Sequence, residues 1–166
     1  MTAIVIRPEK PCDVGAIFEV TKAAFRDMAF SDGFEPALVD TLRDDGDLTL
    51  SLIAENAERI VGHIAFSPVI IDDGSAGWHG LGPVSVLPEL QGQRIGHTLV
   101  KRGIADMRKR GSRGIVLLGD PAYYTRFGFE HDPNLAYPGP PAQYFQRLVL
   151  HGDAPRGRVR YAPAFG

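Results

Sequence analysis

Residues 81–111, LGPVSVLPELQGQRIGHTLVKRGIADMRKRG, limit the fold of this chain more than any other stretch. Pro83, Val84, Ser85 and Val86 read as a strand, and Pro88 ends it because proline cannot donate to a sheet ladder. A short turn follows over 89–93. The period then becomes helical, with Val100, Ile104 and Met107 on one face, Lys101, Arg108 and Lys109 on the other, and Gly111 as the C-terminal stop. Between strand and helix stand Gln91, Gly92, Gln93, Arg94, Ile95 and Gly96. Bare backbone there meets a first helical turn whose N–H groups have no intrahelical partner, at the positive end of the helix dipole. The arrangement predicts an anion site, with the pyrophosphate of a coenzyme as the anion.

Other phosphate motifs fit less well. The dinucleotide fingerprint needs three glycines in GxGxxG and a carboxylate further along, and only two glycines stand here, without a first-strand context. A P-loop needs Lys and Ser or Thr directly after its last glycine, whereas His97 and Thr98 follow Gly96. An ordinary strand-turn-helix connection satisfies the same residues. A second motif separates these readings: Tyr124-x-x-x-Gly128-Phe129, inside LGDPAYYTRFGF, follows after one helix and one strand. Together, Q-x-x-G-x-G at 91–96 and Y-x-x-x-G-F at 124–129 resemble the coenzyme and tyrosine motifs of the GNAT superfamily of N-acetyltransferases. LGP at 81–83, GDPAYY at 119–124 and the ending VRYAPAFG resemble a small bacterial subgroup, so the resemblance spans nearly the whole chain. One departure is Arg94, where the family often has glycine.

The bulk properties agree with an enzyme of ordinary size. A chain of 166 residues is expected to be one domain over 1–166. A formal net charge of −2 gives no footprint for nucleic acid or an anionic membrane, so neither is expected as a partner. The lone Cys12 cannot close an internal disulfide, no apolar run approaches a membrane span, and MTAIVIRPEK is too short and alternating for a signal peptide. A cytoplasmic location is expected. His63, His79, His97, His131 and His151 show no paired metal spacing, so no metal is expected.

Along the chain, residues 3–7 predict a first strand closed by Pro8, and Val14, Ile17, Phe18, Val20 and Phe25 a helix with Asp13 favouring its dipole. Pro36, Leu38, Val39 and Leu42 predict a second helix ending by Gly46. Strands over 48–55 and 60–72 form a hairpin about Asn56-Ala57-Glu58-Arg59, with Pro68 at a bulge or an edge. Gly80, Gly82 and Pro83 predict a second bulge. Residues 114–118 read as a doubly covered strand, 121–127 as a short helix and 132–142 as a loop too rich in Pro and Gly for regular structure. The last strands, 144–150 and 157–161, close around a turn at Gly152-Asp153, giving hairpins at both ends. The fold class is α/β (α+β mixed), a mixed sheet with helices on both faces. The resemblance implies a mostly antiparallel central sheet of about seven strands.

The resemblance also implies chemistry: direct attack of a primary amine, on a small molecule or a peptide, upon the thioester of acetyl-CoA. It places the backbone of Val84, Ser85 and Val86 along the pantetheine arm, Gln91 to Gly96 around the pyrophosphate, and Tyr124 as general acid for the leaving thiolate. Arg94 adds a charge-assisted phosphate contact, or crowds the turn if its φ is positive. No base is assigned. The position where some relatives carry a base carboxylate falls at Gly80; His79, Asp120 and a water relay are the candidates, although Asp120 also suits a helix cap. Phe30, Phe34, Tyr137 and Trp78 hint at an apolar acceptor pocket. Late strands in the superfamily often contribute to dimers, so a homodimer is a further expectation. The alternative function is a non-catalytic acyl-CoA-binding or sensing module on the same fold.

Overall fold

The structure, a computed structural model, describes residues 3–28, 31–57 and 59–166; Phe30 and Glu58, both part of the expectations above, lie outside them. In chain order the elements are β1 (Ile4–Pro8), α1 (Val14–Phe25), α2 (Glu35–Asp44), β2 (Leu50–Asn56), β3 (Arg59–Ile71) and β4 (Trp78–Val86). Then come α3 (Ile95–Lys109), β5 (Gly114–Leu118), α4 (Pro121–Tyr124), β6 (Leu135–Ala136), β7 (Phe145–Val149) and β8 (Gly157–Tyr161). The main sheet runs β1-β2-β3-β4-β5-β7, while β8 pairs with β3 and with the two-residue β6. Every pairing is antiparallel except β4 with β5 and β6 with β8.

Side-chain alternation sorts the core into two layers. Leu50, Leu52 and Ala54 of β2 join Leu99 and Met107 of α3, whereas Ile53 turns to Ile17 of α1 and Val39 of α2. Gly103 lets α3 sit close to the sheet: a Cβ there would lie 2.5 Å from the Phe66 ring. Asp13, expected in the first turn of α1, is buried instead, accepting from Arg7 at 2.8 and 3.2 Å and from the Lys10 N–H at 2.7 Å. The Arg7 hydrogen bond, in particular, holds its carboxyl below the usual carboxylate range.

Two expectations about strands need correction. The loop over 132–142 contains the short β6. More substantially, β7 and β8 form no hairpin: β7 pairs with β5, and β8 crosses to Val69, Ile70 and Ile71 of β3. The reason lies in β3, whose pairing with β2 ends at Phe66 opposite Leu50, leaving the far end of this long strand an unfilled edge. Pro68 stands where the first partner has ended and the second has not begun, as an edge proline should.

The expected bulge in β4 is present and has a consequence for the site. Gly82 and Pro83 together oppose Ala65, between the pairs Ile64–Val84 and Phe66–Leu81. One extra residue inverts the alternation. Before the bulge, Gly80 faces Tyr161 and Val69; after it, Val84 and Val86 face the α3 side, and Val86 lies beside Gly96.

Candidate active site

Strand β4 parts from β5 halfway along. Their register covers only Trp78–Gly114, His79–Ile115 and Gly80–Val116. Beyond it, β4 continues on β3 alone and Leu117 and Leu118 pair only with β7. The edge of β4 from Leu81 to Val86 therefore carries main-chain groups with no strand partner.

On the α3 side this gap borders a groove of about 300 Å³. Val86, Gln91, Gly92, Arg94, Ile95 and Gly96 line it, as do Leu90, His97, Tyr123 and Arg126, which the sequence motif did not single out. Gln91 Nε2 donates to the Val86 carbonyl at 3.1 Å and so ties the turn back to the strand. Gly92 has φ 82°, and Arg94, the residue preceding α3, has φ 66° and ψ 16°. The positive φ at Arg94 settles the question of crowding: the turn is left-handed there, a conformation costing a non-glycine residue about 1–2 kcal/mol. Of the other residues expected in the site, Gln93 is exposed in the same turn without lining the groove. Val84 packs into the core beneath α3, and the Ser85 side chain is sealed on the opposite face.

The groove is cationic. Arg94 and Arg126 border it, and the Arg126 guanidinium lies 4.3 Å from the Tyr123 ring centroid while its Nε donates to the Tyr123 carbonyl at 2.8 Å. Burial, then the charges of Arg94, Arg126 and Lys101, push the His97 imidazole below its usual value, and its ring packs 5.0 Å from Phe127. Arg94 and Arg126 on the groove, beside a helix start whose first N–H groups have no intrahelical partner, make a place suited to a polyanion.

The two tyrosines divide between groove and interior. Tyr123 lines the groove. Tyr124 is half-buried against Phe127 and Phe129, with ring centroids 6.2 and 6.0 Å away. Its ring also fills the space a side chain at Gly119 would need, 2.5 Å from a Cβ placed there. Burial of that ring, and then the neighbouring Tyr123, push the phenol up to about 12. Tyr124 ends α4, the short helix that follows β5, the strand forming one lip of the gap; its side chain lines neither the groove nor the hollow on the other side of the sheet.

Neither side chain considered as a base reaches this place as a free group. His79 Nδ1 is 2.8 Å from Ser112 Oγ, at the end of β5 opposite to the gap. Asp120 caps α4, its Oδ1 accepting from the Ala122 N–H at 2.9 Å. Gly80 carries the Tyr161 ring against its Cα, at 2.6 Å from a Cβ that is not there.

On the other side of the sheet, the floor of a second hollow of about 310 Å³ is Leu81, Gly82, Pro83 and Leu118, the same edges of the gap. Its walls come from the α1–α2 loop (Asp32, Phe34), the first residue of α2 (Glu35), Tyr137, Tyr161 at the end of β8 and Phe165 near the chain end. Of the residues expected at an acceptor pocket, Phe34 and Tyr137 line this hollow. Trp78 is not: its indole is buried with Val69, Val116 and Val159, over Gly114, whose missing side chain makes the room. Tyr161 and Phe165 belong to the ending VRYAPAFG, to which the sequence attached no role; the pairing of β8 with β3 brings them here.

Among the described residues, no group of three His, Cys, Asp or Glu side chains could hold a metal ion, and no helix is long and apolar enough to cross a membrane. The model of the acetyltransferase (GNAT) family matches residues 16–129. The chain is 37% identical over 159 residues to an uncharacterized N-acetyltransferase of Escherichia coli, YhbS, covering 93% of this chain and 92% of that one. A GNAT family acetyltransferase of Brucella melitensis, crystallised with acetyl-CoA, superposes with a TM-score of 0.89 at 48% identity over all of both chains. YhbS of E. coli, crystallised with CoA, superposes with a TM-score of 0.88 at 34% identity, over 99% of this chain and 93% of that one. A groove at a helix start beside a parted sheet, and likeness over nearly the full length, together establish that the chain belongs to the acetyltransferase (GNAT) family and is an acyltransferase.

Proposed function

We propose that this chain, as one domain over 1–166, moves the acetyl group of acetyl-CoA to a primary amine by direct attack. The observation that carries the reading is a cationic groove and a second hollow lying along the same β4 edge, where β4 parts from β5. The residues present fit the coenzyme. Amides of the turn and of the first turn of α3, with Arg94 and Arg126 beside them, suit a diphosphate. The unpartnered edge of β4 suits an amide-bearing arm, and an N–H on it is the donor for the carbonyl oxygen as negative charge develops there. Acetyl-CoA supplies the activated carbonyl and a thiolate leaving group.

In this reading Tyr124 assists the departing sulfur. A phenol held at about 12 keeps its proton throughout the physiological range. Full transfer to a thiolate of ordinary pKa, about 8.5, runs uphill by several kcal/mol, so Tyr124 acts chiefly as a hydrogen-bond donor to the growing charge. The amine must arrive or become neutral before attack. With His79 and Asp120 engaged elsewhere, water in the acceptor hollow takes that proton.

Tyr124→Phe tests the assignment. It is expected to lower kcat roughly a hundredfold while the KM for acetyl-CoA stays within about twofold, read by thiol release with an amine panel. The wild-type rate should show no basic limb from Tyr124 below about pH 11, since its phenol remains protonated there. An unchanged kcat removes Tyr124 from the chemistry; tight CoA binding with no turnover on any amine favours the sensing module.

A further inference from the structure

The acceptor hollow has a chemical character that the transferase reading does not require. One side of it is aromatic: Tyr137 and Tyr161 meet edge to face with centroids 5.0 Å apart, and Tyr161 and Phe165 are again 5.0 Å apart. Phe34, from the other side, is 69% exposed, an unusual fraction for so large an apolar ring. Among the described residues the charged groups lining the hollow are two, Asp32 and Glu35, and both are acidic. Each is held in place from its own loop. Asp32 Oδ1 accepts from the Phe34 N–H at 2.9 Å, and Glu35 Oε1 from Ser31 Oγ at 2.5 Å. Asp32 and Glu35 also line an adjoining hollow, which shares Phe25 and is bordered by Lys22 and Arg26.

These features select among amines. Aromatic faces and a carboxylate pair both attract an ammonium group, and the rings bury an apolar body. An acceptor that also carries a carboxylate would set like charge beside Asp32 and Glu35, since among the described residues the cations near them, Lys22 and Arg26, line the adjoining hollow and not this one. A small polar amine would leave the rings uncovered. We propose that the acceptor is a primary amine on an aromatic ring-bearing body without a carboxylate, captured as its ammonium ion and attacking once deprotonated. This rests on the transferase reading above and adds the substrate class to it.

The test uses the full chain with acetyl-CoA and three amines: 2-phenylethylamine, phenylalanine, which adds only a carboxylate, and ethanolamine, which lacks the ring. The expected kcat/KM for 2-phenylethylamine exceeds each of the others by at least about tenfold. Glu35→Gln combined with Asp32→Asn should raise the KM for 2-phenylethylamine roughly tenfold and narrow its advantage over phenylalanine, leaving the KM for acetyl-CoA in place. A merely structural role for the two carboxylates would not change the ranking of the amines. Calorimetric binding of 2-phenylethylamine to the CoA-loaded protein separates the two claims. Binding that weakens in the double variant, even without turnover, supports the pocket assignment while the transferase reading fails alone. Turnover of ethanolamine or phenylalanine in preference to 2-phenylethylamine, or no saturable binding of the latter, overturns the proposal and leaves the transferase reading intact.

Discussion

Arg94 joins a conformational cost and a charge in one residue. Its left-handed φ of 66° is what a glycine would adopt freely, and its guanidinium borders the groove. Two substitutions part these effects. Arg94→Gly should raise stability by about 1 kcal/mol and weaken CoA binding roughly threefold to tenfold, whereas Arg94→Ala should weaken binding alike with no gain in stability. Thermal midpoints and calorimetric titration with CoA check both; tighter CoA binding by Arg94→Gly would mean the side chain obstructs the site. The departure from glycine is legible in the sequence, but the sign of φ is not. It follows from Gln91 Nε2 bonding back to Val86 and from the left-handed Gly92, which together bend the turn before α3 begins. Arg126 and Tyr123 were within reach of sequence reasoning, since they flank the recognised Tyr124. The signal was a cation two residues after the tyrosine motif opens.

At the scale of elements, α3 owes its position to Gly103. A methyl there meets the Phe66 ring at 2.5 Å from the added Cβ, inside a helix where alanine would otherwise be favoured. Gly103→Ala should therefore destabilise by about 1–3 kcal/mol, seen as a lower denaturant midpoint at unchanged slope, despite the better helix propensity. A stabilised variant would show that Phe66 yields easily. The strand-turn-helix unit was readable because its period changes from two to 3.6 at a proline and a glycine turn. The bulge at Gly82 and Pro83 was readable too, from residues that fit a sheet poorly, though not its reversal of which residues face α3. The last two strands were misread as a hairpin because local spacing carries no information about β3. That strand's unfilled edge, more than eighty residues earlier in the chain, decides where β8 goes.

Across the whole molecule, one buried group should set the response to mild acid. His63 lies at 0% exposure between β2 and β4, its Nε2 2.8 Å from Ser51 Oγ, with Ser51 in turn bonded to Glu9, which pairs with Arg43 at 2.9 Å. Burial dominates over the attraction of Glu9 and pushes the imidazole down to about 4. An unfolded histidine takes up a proton near pH 6.5, so stability is full above that value and falls as pH drops towards 4. Between pH 7 and pH 5 the loss from His63 should be about 2 kcal/mol, before most carboxylates titrate. Denaturation of wild type and His63→Gln at both pH values checks it; equal losses would clear His63 of the effect. The second hollow, proposed to take the acceptor, was the least legible part, since its walls come from distant segments that only the folded sheet brings together. The parting of β4 from β5 after three residue pairs has one more implication. The groove and the second hollow open on opposite sides of this one parting, so under the proposed transfer the two reactants would each keep a route of their own in and out. In that proposed reaction neither would have to leave before the other arrives, and no acyl group would need to be parked on the protein between them.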